Sequence, residues 1–442
     1  MATSLTRRRF ASGLAGLGIG LAGGCAPPRR SSDGRTDVVF WHMWTGEWEK
    51  VVNRIVARFN ESQRSIRVRP LVVTGDANTK LLLALVGGDP PDLMAQWNQV
   101  IPAWARKGAL VAFDSLMSAD EYRRFRAWLY PAAREIGTYG EHLYAVCMSL
   151  NAHALLMNAQ MMREAGLDPD RPPASIADLD TYANEMVKYD ARGKIDRMGL
   201  LPLNLHQWAA VWGGDFYDPV TERITANHPR IVEALEWMTS YSRKYDVNKV
   251  SSFQAGLTQQ VGDSWPFVKK KFALIQDGQW RVEDMKKFAP DIECRVTPLP
   301  HPPDGKERAC HVNGNFLIIP RGARHAPEAW EFAKFWCGWQ HEDIGADIAT
   351  WGGWIPASPA LTRTAPYRNY VKENPAFQTF LDVVGSPNVR ITPVTPVQAF
   401  LWDRLKATEE SALRLKQTPR EALDYMTYEV QRELDKVNQR GS

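Results

Sequence analysis

The sequence predicts an α/β protein built as two domains, and three observations carry that expectation. The chain has 442 residues, more than one hydrophobic core comfortably serves. From Asp37 onward, strand, helix, strand, helix and strand signals follow one another within about sixty residues, the rhythm of a parallel sheet. Beyond Leu150 the signals turn mostly helical, which marks a second body of different make-up.

The first unit opens at Asp37. Val38, Val39, Phe40 and Trp41 form an apolar run of β-branched and aromatic residues, and buried parallel strands need not alternate. After Gly46, the apolar residues Trp48, Val51, Val52, Ile55, Val56 and Phe59 recur every three or four positions, with Glu49, Lys50, Asn53, Arg54 and Arg58 on the other side. That spacing predicts an amphipathic helix. The connection His42-Met-Trp-Thr-Gly-Glu47 leaves the carboxyl end of the strand, where open α/β sheets hold their ligands, and Thr45 is placed to cap the helix.

Ile66 to Val73 reads as the next strand, Ala77 to Val86 as a helix stopped by Gly87-Gly-Asp-Pro-Pro91, and Asp92 to Gln96 as a third strand. A helix from Ile101 to Lys107 ends at Gly108 with basic residues in its last turn. Leu143 to Leu150 is a strand leaving the first unit, and a helix is predicted from Ala152 to Ala165. Ser175-x-x-Asp178 offers a capping box to another. Further helices are expected over Leu205–Trp212 and Pro229–Lys244, the latter with proline in its first turn. Phe272–Ile275, Arg295–Leu299 and His311–Ile319 read as strands. Helices are expected from Ala326 to Trp339, from Asn374 or Pro375, from Pro396, and after the Thr418-Pro-Arg-Glu421 cap.

Residues 1–25 are set apart from the fold. Thr6-Arg-Arg-Arg-Phe10 precedes a Gly-rich apolar run from Ala11 to Gly24 with no acidic residue, the pattern of a twin-arginine export signal, and the run is too short for a membrane span. Leu21-Ala-Gly-Gly-Cys25 resembles a lipobox with its leucine one position early, so Cys25 is the expected lipidation site; a plain cleaved secretory peptide is the other reading. Residues 26–36, rich in Pro, Arg, Ser and Gly, read as a tether. Losing Arg7, Arg8 and Arg9 takes three charges from the formal +4 and leaves +1. That balance gives no support to nucleic-acid binding. Mean hydropathy is negative, which excludes a polytopic membrane protein. An exported chain meets an oxidising compartment. Cys294 and Cys310 flank Pro302-Pro-Asp-Gly-Lys306 and can face each other across a hairpin as a disulfide or remain as two buried thiols.

No nucleophile elbow, phosphate loop or His-Glu-x-x-His motif is present, and no spacing suits a metal. Neither metal nor cofactor is expected. The distinctive feature is 17 Trp, several of them beside glycine in connections between elements: residues 42–48, Gln96-Trp-Asn98, residues 212–217, residues 276–280, Asn313-Gly-Asn315 and Trp351-Gly-Gly-Trp354. Glycine lets a ligand approach the backbone, indole supplies an apolar face, and Asp, Asn and Gln supply hydrogen-bonding edges. The combination suits a sugar ring. Trp237, Trp330 and Trp336 sit at helical core spacing and belong to packing. Asp92 reads as a turn-former or cap, His42 as a satisfied buried polar group, and Glu47 either as a hydroxyl partner or as an anion favoured in a first helical turn.

The chain resembles the family-1 extracellular solute-binding proteins of ABC importers, the maltose-type and glycerol-phosphate-type group. The resemblance rests on the export signal and lipobox, Phe40-Trp-x-x-Trp44, Gly88-Asp-Pro-Pro-Asp-Leu93, Phe272 to Trp280, Gly314 to Phe332 and Gly353-Trp-Ile-Pro356, which occur in family order. It implies a two-lobed periplasmic-binding-protein type II fold with crossing hinge strands. Residues 37–145 and 298–350 would form lobe 1, and 146–297 and 351–442 lobe 2. It also implies ligand contacts from Trp44, Glu47, Trp97, Asn98, Trp212, Gly213, Gly214, Asp277, Trp280, Asn313 and Trp354. Many relatives carry a tyrosine just before the position of Asn158, where this chain has Met157, so one aromatic contact is missing.

The expected function is a lipid-anchored, monomeric, non-enzymatic binding subunit at the outer face of the cell membrane. It would pass a mono- or oligosaccharide to permease subunits. A glycerophosphodiester or other phosphorylated polyol is the alternative ligand, with Arg281 and Arg390 as the candidate cations. An exported glycoside hydrolase is the alternative from another class and would need a carboxylate pair such as Glu47 with Asp277.

Overall fold

The protein is described by a computed structural model, which covers residues 34–257 and 262–441. The export signal with Cys25, and tether residues 26–33, lie outside the described residues. The first unit runs β1 (Thr36–His42), α1 (Glu47–Ser62), β2 (Ile66–Val72), α2 (Ala77–Val86), β3 (Leu93–Trp97), α3 (Ile101–Arg106), β4 (Leu110–Val111), α4 (Ala119–Trp128) and α5 (Pro131–Gly137), then the ribbon β5 (Thr138–Tyr139) and β6 (His142–Leu143), and β7 (Val146–Asn151). Next come β8 (His153–Asn158), α6 (Ala159–Glu164), α7 (Ile176–Glu185), β9 (Lys188–Tyr189), β10 (Ile195–Arg197), α8 (Leu205–Trp212), β11 (Tyr217–Asp218), β12 (Arg223–Ile224), α9 (Pro229–Lys244), α10 (Val247–Ala255), β13 (Leu274–Gly278), α11 (Arg281–Phe288) and β14 (Cys294–Thr297). The chain then returns through β15 (His311–Pro320), α12 (Ala326–Cys337), α13 (Glu342–Gly352), α14 (Pro359–Thr362), α15 (Ala365–Glu373), α16 (Phe377–Val384), β16 (Arg390–Ile391), α17 (Gln398–Leu413) and α18 (Pro419–Gly441).

Two sheets organise these elements into two lobes. The larger has the order β16-β15-β3-β1-β2, with β4 and β7 also paired to β15. Strands β1, β2 and β3 are parallel, and β15 runs antiparallel to β3 and β7. Its core forms where the even residues of β1 meet α12: Phe40 is fully buried and lies edge-on to Phe332 and Trp336, at 5.5 and 5.9 Å. Helix α1 buries Val52, Ile55, Val56 and Phe59, the stripe its spacing predicts. Gly46, not Thr45, is its N-cap, and no side chain caps it. Asp92 is buried and accepts hydrogen bonds from the backbone N–H groups of Val39, Arg324 and His325, so it fixes the start of α12 to the sheet.

The smaller sheet is antiparallel, β13-β8-β14, with β8 in the middle. The chain passes from one sheet to the other at a single buried residue, Ala152. Strand β7 bonds along β15, so residues 146–151, assigned to lobe 2 from sequence, lie in the sheet of lobe 1. The helix expected from Ala152 begins only at Ala159; residues 153–158 form β8. Ala, Leu and Met favour helices in isolation, but a segment flanked on both sides by strands and almost wholly buried takes the backbone its neighbours require. Asn158 ends the strand and caps α6, its Oδ1 accepting from the Met161 N–H at 3.0 Å.

No hairpin joins Cys294 to Cys310. Cys294 pairs with Asn158 in the small sheet, while Cys310 precedes β15 and its carbonyl accepts from the Arg390 N–H. Among the described residues both are free thiols, as are Cys147 and Cys337, so the disulfide reading is corrected: Cys294 lies in a strand of the small sheet and Cys310 just before a strand of the large one. Trp351 lies under the Arg54 guanidinium at 3.6 Å and Asp347 bonds Arg58 at 2.8 Å, which ties α13 to α1.

Candidate ligand-binding site

The carboxyl ends of β1, β2 and β3 open into a cavity of about 520 Å³ lined by His42, Met43, Thr45, Val73 to Asn78, and Met94 to Trp97. This is the location that parallel-sheet geometry favours for a ligand. Trp97 stands 44% exposed at its rim. Gln96 is held by donating to Asn78 Oδ1 and accepting from the Trp97 N–H, each at 2.8 Å. Burial pulls the His42 imidazole down to about 4, so it is neutral at pH 7.

Where the chain crosses between sheets, carboxamides are linked to one another. Asn151 Nδ2 donates to Asn313 Oδ1 at 3.0 Å. Gln279 Nε2 donates to Asn151 Oδ1 at 3.2 Å, and its Oε1 accepts from the Ala152 N–H at 3.1 Å. On the second lobe, Asn204 Nδ2 donates to Gln276 Oε1 at 3.0 Å, and Gln276 Nε2 bonds His153 Nδ1. Glu409 supports this group from α17, accepting from the Asn204 and Leu205 N–H groups at 2.8 Å each. Trp280 meets His153 edge-on at 5.3 Å. The arrangement offers neutral, planar donors and acceptors beside a half-buried indole.

The structure sorts the residues expected from sequence. Trp97, Asn313 and Trp280 lie in the two regions just described. Trp44 is half-buried in a stack of rings, 6.3 Å from Trp336 and 6.1 Å from Trp354. Trp354 is itself buried, near-parallel to Trp336 at 5.9 Å and to Trp48 at 6.3 Å. Trp212 is buried against Trp237 at 5.2 Å, so no open face remains for a ligand. Asn98 is fully buried, its Oδ1 3.4 Å from the Gly314 N–H and its amide nitrogen without a partner among the described residues. Glu47 is exposed and paired with Lys50 at 2.7 Å and Lys287 at 3.5 Å. Asp277 is committed to Arg281 at 2.8 Å; burial raises its carboxyl while that guanidinium opposes the rise.

The glycines act differently from expectation. A Cβ at Gly278 would lie 2.1 Å from Trp280 Cζ3, and one at Gly352 would lie 2.2 Å from Trp354 Cδ2. At Gly214 the Ile231 side chain occupies the space, at 2.4 Å. Gly213 closes α8 with φ 88°, a left-handed cap that favours glycine, and carries Lys306 against it. These positions make room for the protein's own side chains.

Both arginines considered for an anionic ligand are engaged. Arg281 bonds Asp277 and Asp284 at 2.8 Å each and lies over the Trp265 ring at 4.1 Å. Arg390 pairs with Asp215 at 3.0 Å and lines a separate cavity of about 800 Å³ between α5, α18 and β16 that also contains Gly214. Sequence reasoning missed Asn151, His153, Asn204 and Glu409. Asn151 and His153 flank the crossing residue inside an apolar run, and that interruption by polar side chains was the available signal. Asn204 and Glu409 are 205 positions apart, and nothing local connects them.

The bacterial extracellular solute-binding protein family matches over residues 54–379. The sn-glycerol-3-phosphate-binding periplasmic protein UgpB of Escherichia coli K12 is 21% identical over 438 residues, covering 94% of this chain and 94% of that protein. A solved structure, CpMnBP1 with mannotriose bound, superposes with TM-score 0.78 at 26% identity over 89% of this chain and 99% of its own. Lmo0181 of Listeria monocytogenes, an ABC substrate-binding protein in complex with cycloalternan, has the same fold, with TM-score 0.74 at 20% identity over 91% and 99%.

Proposed function

The chain belongs to the bacterial extracellular solute-binding proteins, and from that premise we propose that it is the capture subunit of an ABC importer, closing its two lobes on a neutral mono- or oligosaccharide. One observation carries the reading: the linked carboxamides of Asn313, Asn151 and Gln279 cross from one sheet to the other and, with those of Gln276 and Asn204, offer uncharged hydrogen-bonding edges near Trp280. Hydroxyl groups match such edges, and a sugar's C–H face matches the indole. Lobe closure over the ligand is the population shift that the permease reads. We assign the protein no catalytic step, since Glu47 and Asp277 are each occupied by cations. Export by the twin-arginine route and anchoring through Cys25 complete the proposal; among the described residues no helix is long and apolar enough to cross a membrane.

The likeness to a glycerol-phosphate-binding protein along 94% of the chain favours a phosphorylated polyol as the second reading. Against it stands the commitment of Arg281 to two carboxylates. Calorimetric titration with mannotriose, maltotriose and sn-glycerol 3-phosphate separates the two. Saccharide binding that weakens about tenfold in Trp280→Ala, the loss of one stacking face, is the expected result. Binding of glycerol phosphate alone overturns the saccharide reading.

A further inference from the structure

Twelve large apolar side chains stand exposed among the described residues, and five of them, Leu71, Val72, Leu82, Leu83 and Val86, fall within one span of sixteen residues. They are not scattered singly, as surface apolar residues usually are. Helix α2 buries only Leu81 and leaves Leu83 66% and Val86 89% exposed. Strand β2 is the sheet edge. Its residues Ile66 and Val68 are buried beside α1, so by the alternation of a strand Arg67, Arg69 and Leu71 face the other way. Right-handed crossovers from β1 to β2 and back past β1 to β3 place α2 on that second face. Apolar and basic side chains therefore share one surface, with Lys80 adding a charge from α2. The acids beside them are Asp37, 3.4 Å from Arg69, Asp76 at the N-cap of α2, and Asp89, three residues past Val86 and 3.1 Å from Arg324.

The chain preceding the fold leaves at the same edge. Thr36 pairs with Ile66, next to Arg67, and its N–H donates to the Ser65 carbonyl at 2.9 Å. Ten residues separate Cys25 from Thr36, a reach of at most about 40 Å. We propose that this face of lobe 1 rests on an anionic phospholipid surface, with Leu83 and Val86 at the interface and Arg67, Arg69 and Lys80 against the lipid phosphates. Apolar side chains flanked by basic ones bind membranes in this way. Asp76, at the start of α2, borders the strand-end cavity, and Val86 lies about 15 Å farther along the helix. The contact therefore leaves the cavity open to solute. This orients the protein on the bilayer and goes beyond ligand capture.

The test uses the full chain with Cys25→Ser and Cys294→Ser; the other three cysteines, Cys147, Cys310 and Cys337, are buried. An environment-sensitive fluorophore is attached at Val86→Cys or, as a control, at Val220→Cys, a position 90% exposed on the β11–β12 turn. With phosphatidylglycerol vesicles the label at 86 is expected to shift to the blue and that at 220 to stay as in water. Replacing Arg67, Arg69 and Lys80 together by Glu should weaken the partitioning at least about tenfold, since three charges that an anionic surface attracts become three that it repels. Equal responses at both positions, or no response at 86 while the protein floats with the vesicles, overturns the proposal. So does a response at 86 that needs integral membrane protein in the vesicles, which would make the surface a protein-docking site.

Discussion

The Trp280 ring lies over Gly278, so close that a methyl group there would stand 2.1 Å from Cζ3. No rearrangement of backbone alone removes such an overlap, because β13 is bonded to β8 through Gly278 itself. Gly278→Ala should therefore expel the ring from its seat beside His153 while the sheet stays formed. Saccharide affinity is expected to fall about tenfold or more, the loss of one stacking face and its orientation. Calorimetry paired with tryptophan emission checks this; unaltered affinity with an unmoved emission maximum contradicts the placement.

Trp354 repeats the relation with Gly352 but ends in a different environment. Its ring is 7% exposed and sandwiched with Trp336, Trp48 and Trp44, so its contribution is to packing. Trp354→Ala should lower unfolding free energy by about 3–5 kcal/mol, the usual range for deleting a buried aromatic. Urea unfolding measures it. A variant as stable as the parent but unable to bind sugar would return Trp354 to the ligand face.

The contrast between these two tryptophans marks how far the sequence could be read. Periodicity placed α1, α8 and α9 within a residue or so, because their buried stripes are local patterns, and Ser175 and Asp178 form the capping box their spacing announces. Proximity of Gly to Trp was also legible. What local pattern could not show is which face of each indole the rest of the chain covers: Trp354 is covered by Trp336 and Trp48, and Trp212 by Trp237, all from other elements. Strand β8 was hidden for the same reason, since its partners β13 and β14 lie more than a hundred residues away.

Arg281 carries a stability cost if lost. Its side chain is 8% exposed and bridges Asp277 and Asp284, which are 12% and 18% exposed. Arg281→Met would leave two carboxylates without their cation, and removing one partner from a buried ionic group typically costs about 3–5 kcal/mol. The expected outcome is a lower urea midpoint. A stable variant that lost only affinity for sn-glycerol 3-phosphate would favour the phosphorylated-polyol reading.

Acid sensitivity follows from His311. The residue is 2% exposed on β15, neither ring nitrogen has a hydrogen-bond partner among the described residues, and burial pulls its imidazole from 6.5 to about 3. His153, beside Trp280, is drawn down to about 3 as well, by burial and then by the Arg281 charge. Between pH 6.5 and 3 the unfolded chain therefore binds protons that the folded chain does not. Stability from these groups is full above pH 6.5 and is lost as pH falls through the window. From pH 7 to pH 5, His311 alone accounts for roughly 2 kcal/mol. Urea unfolding at the two pH values should show a pH-dependent loss in the parent that exceeds the loss in His311→Gln by about that amount. If parent and variant change alike, the imidazole takes up its proton without unfolding and is not sealed from water as the structure has it.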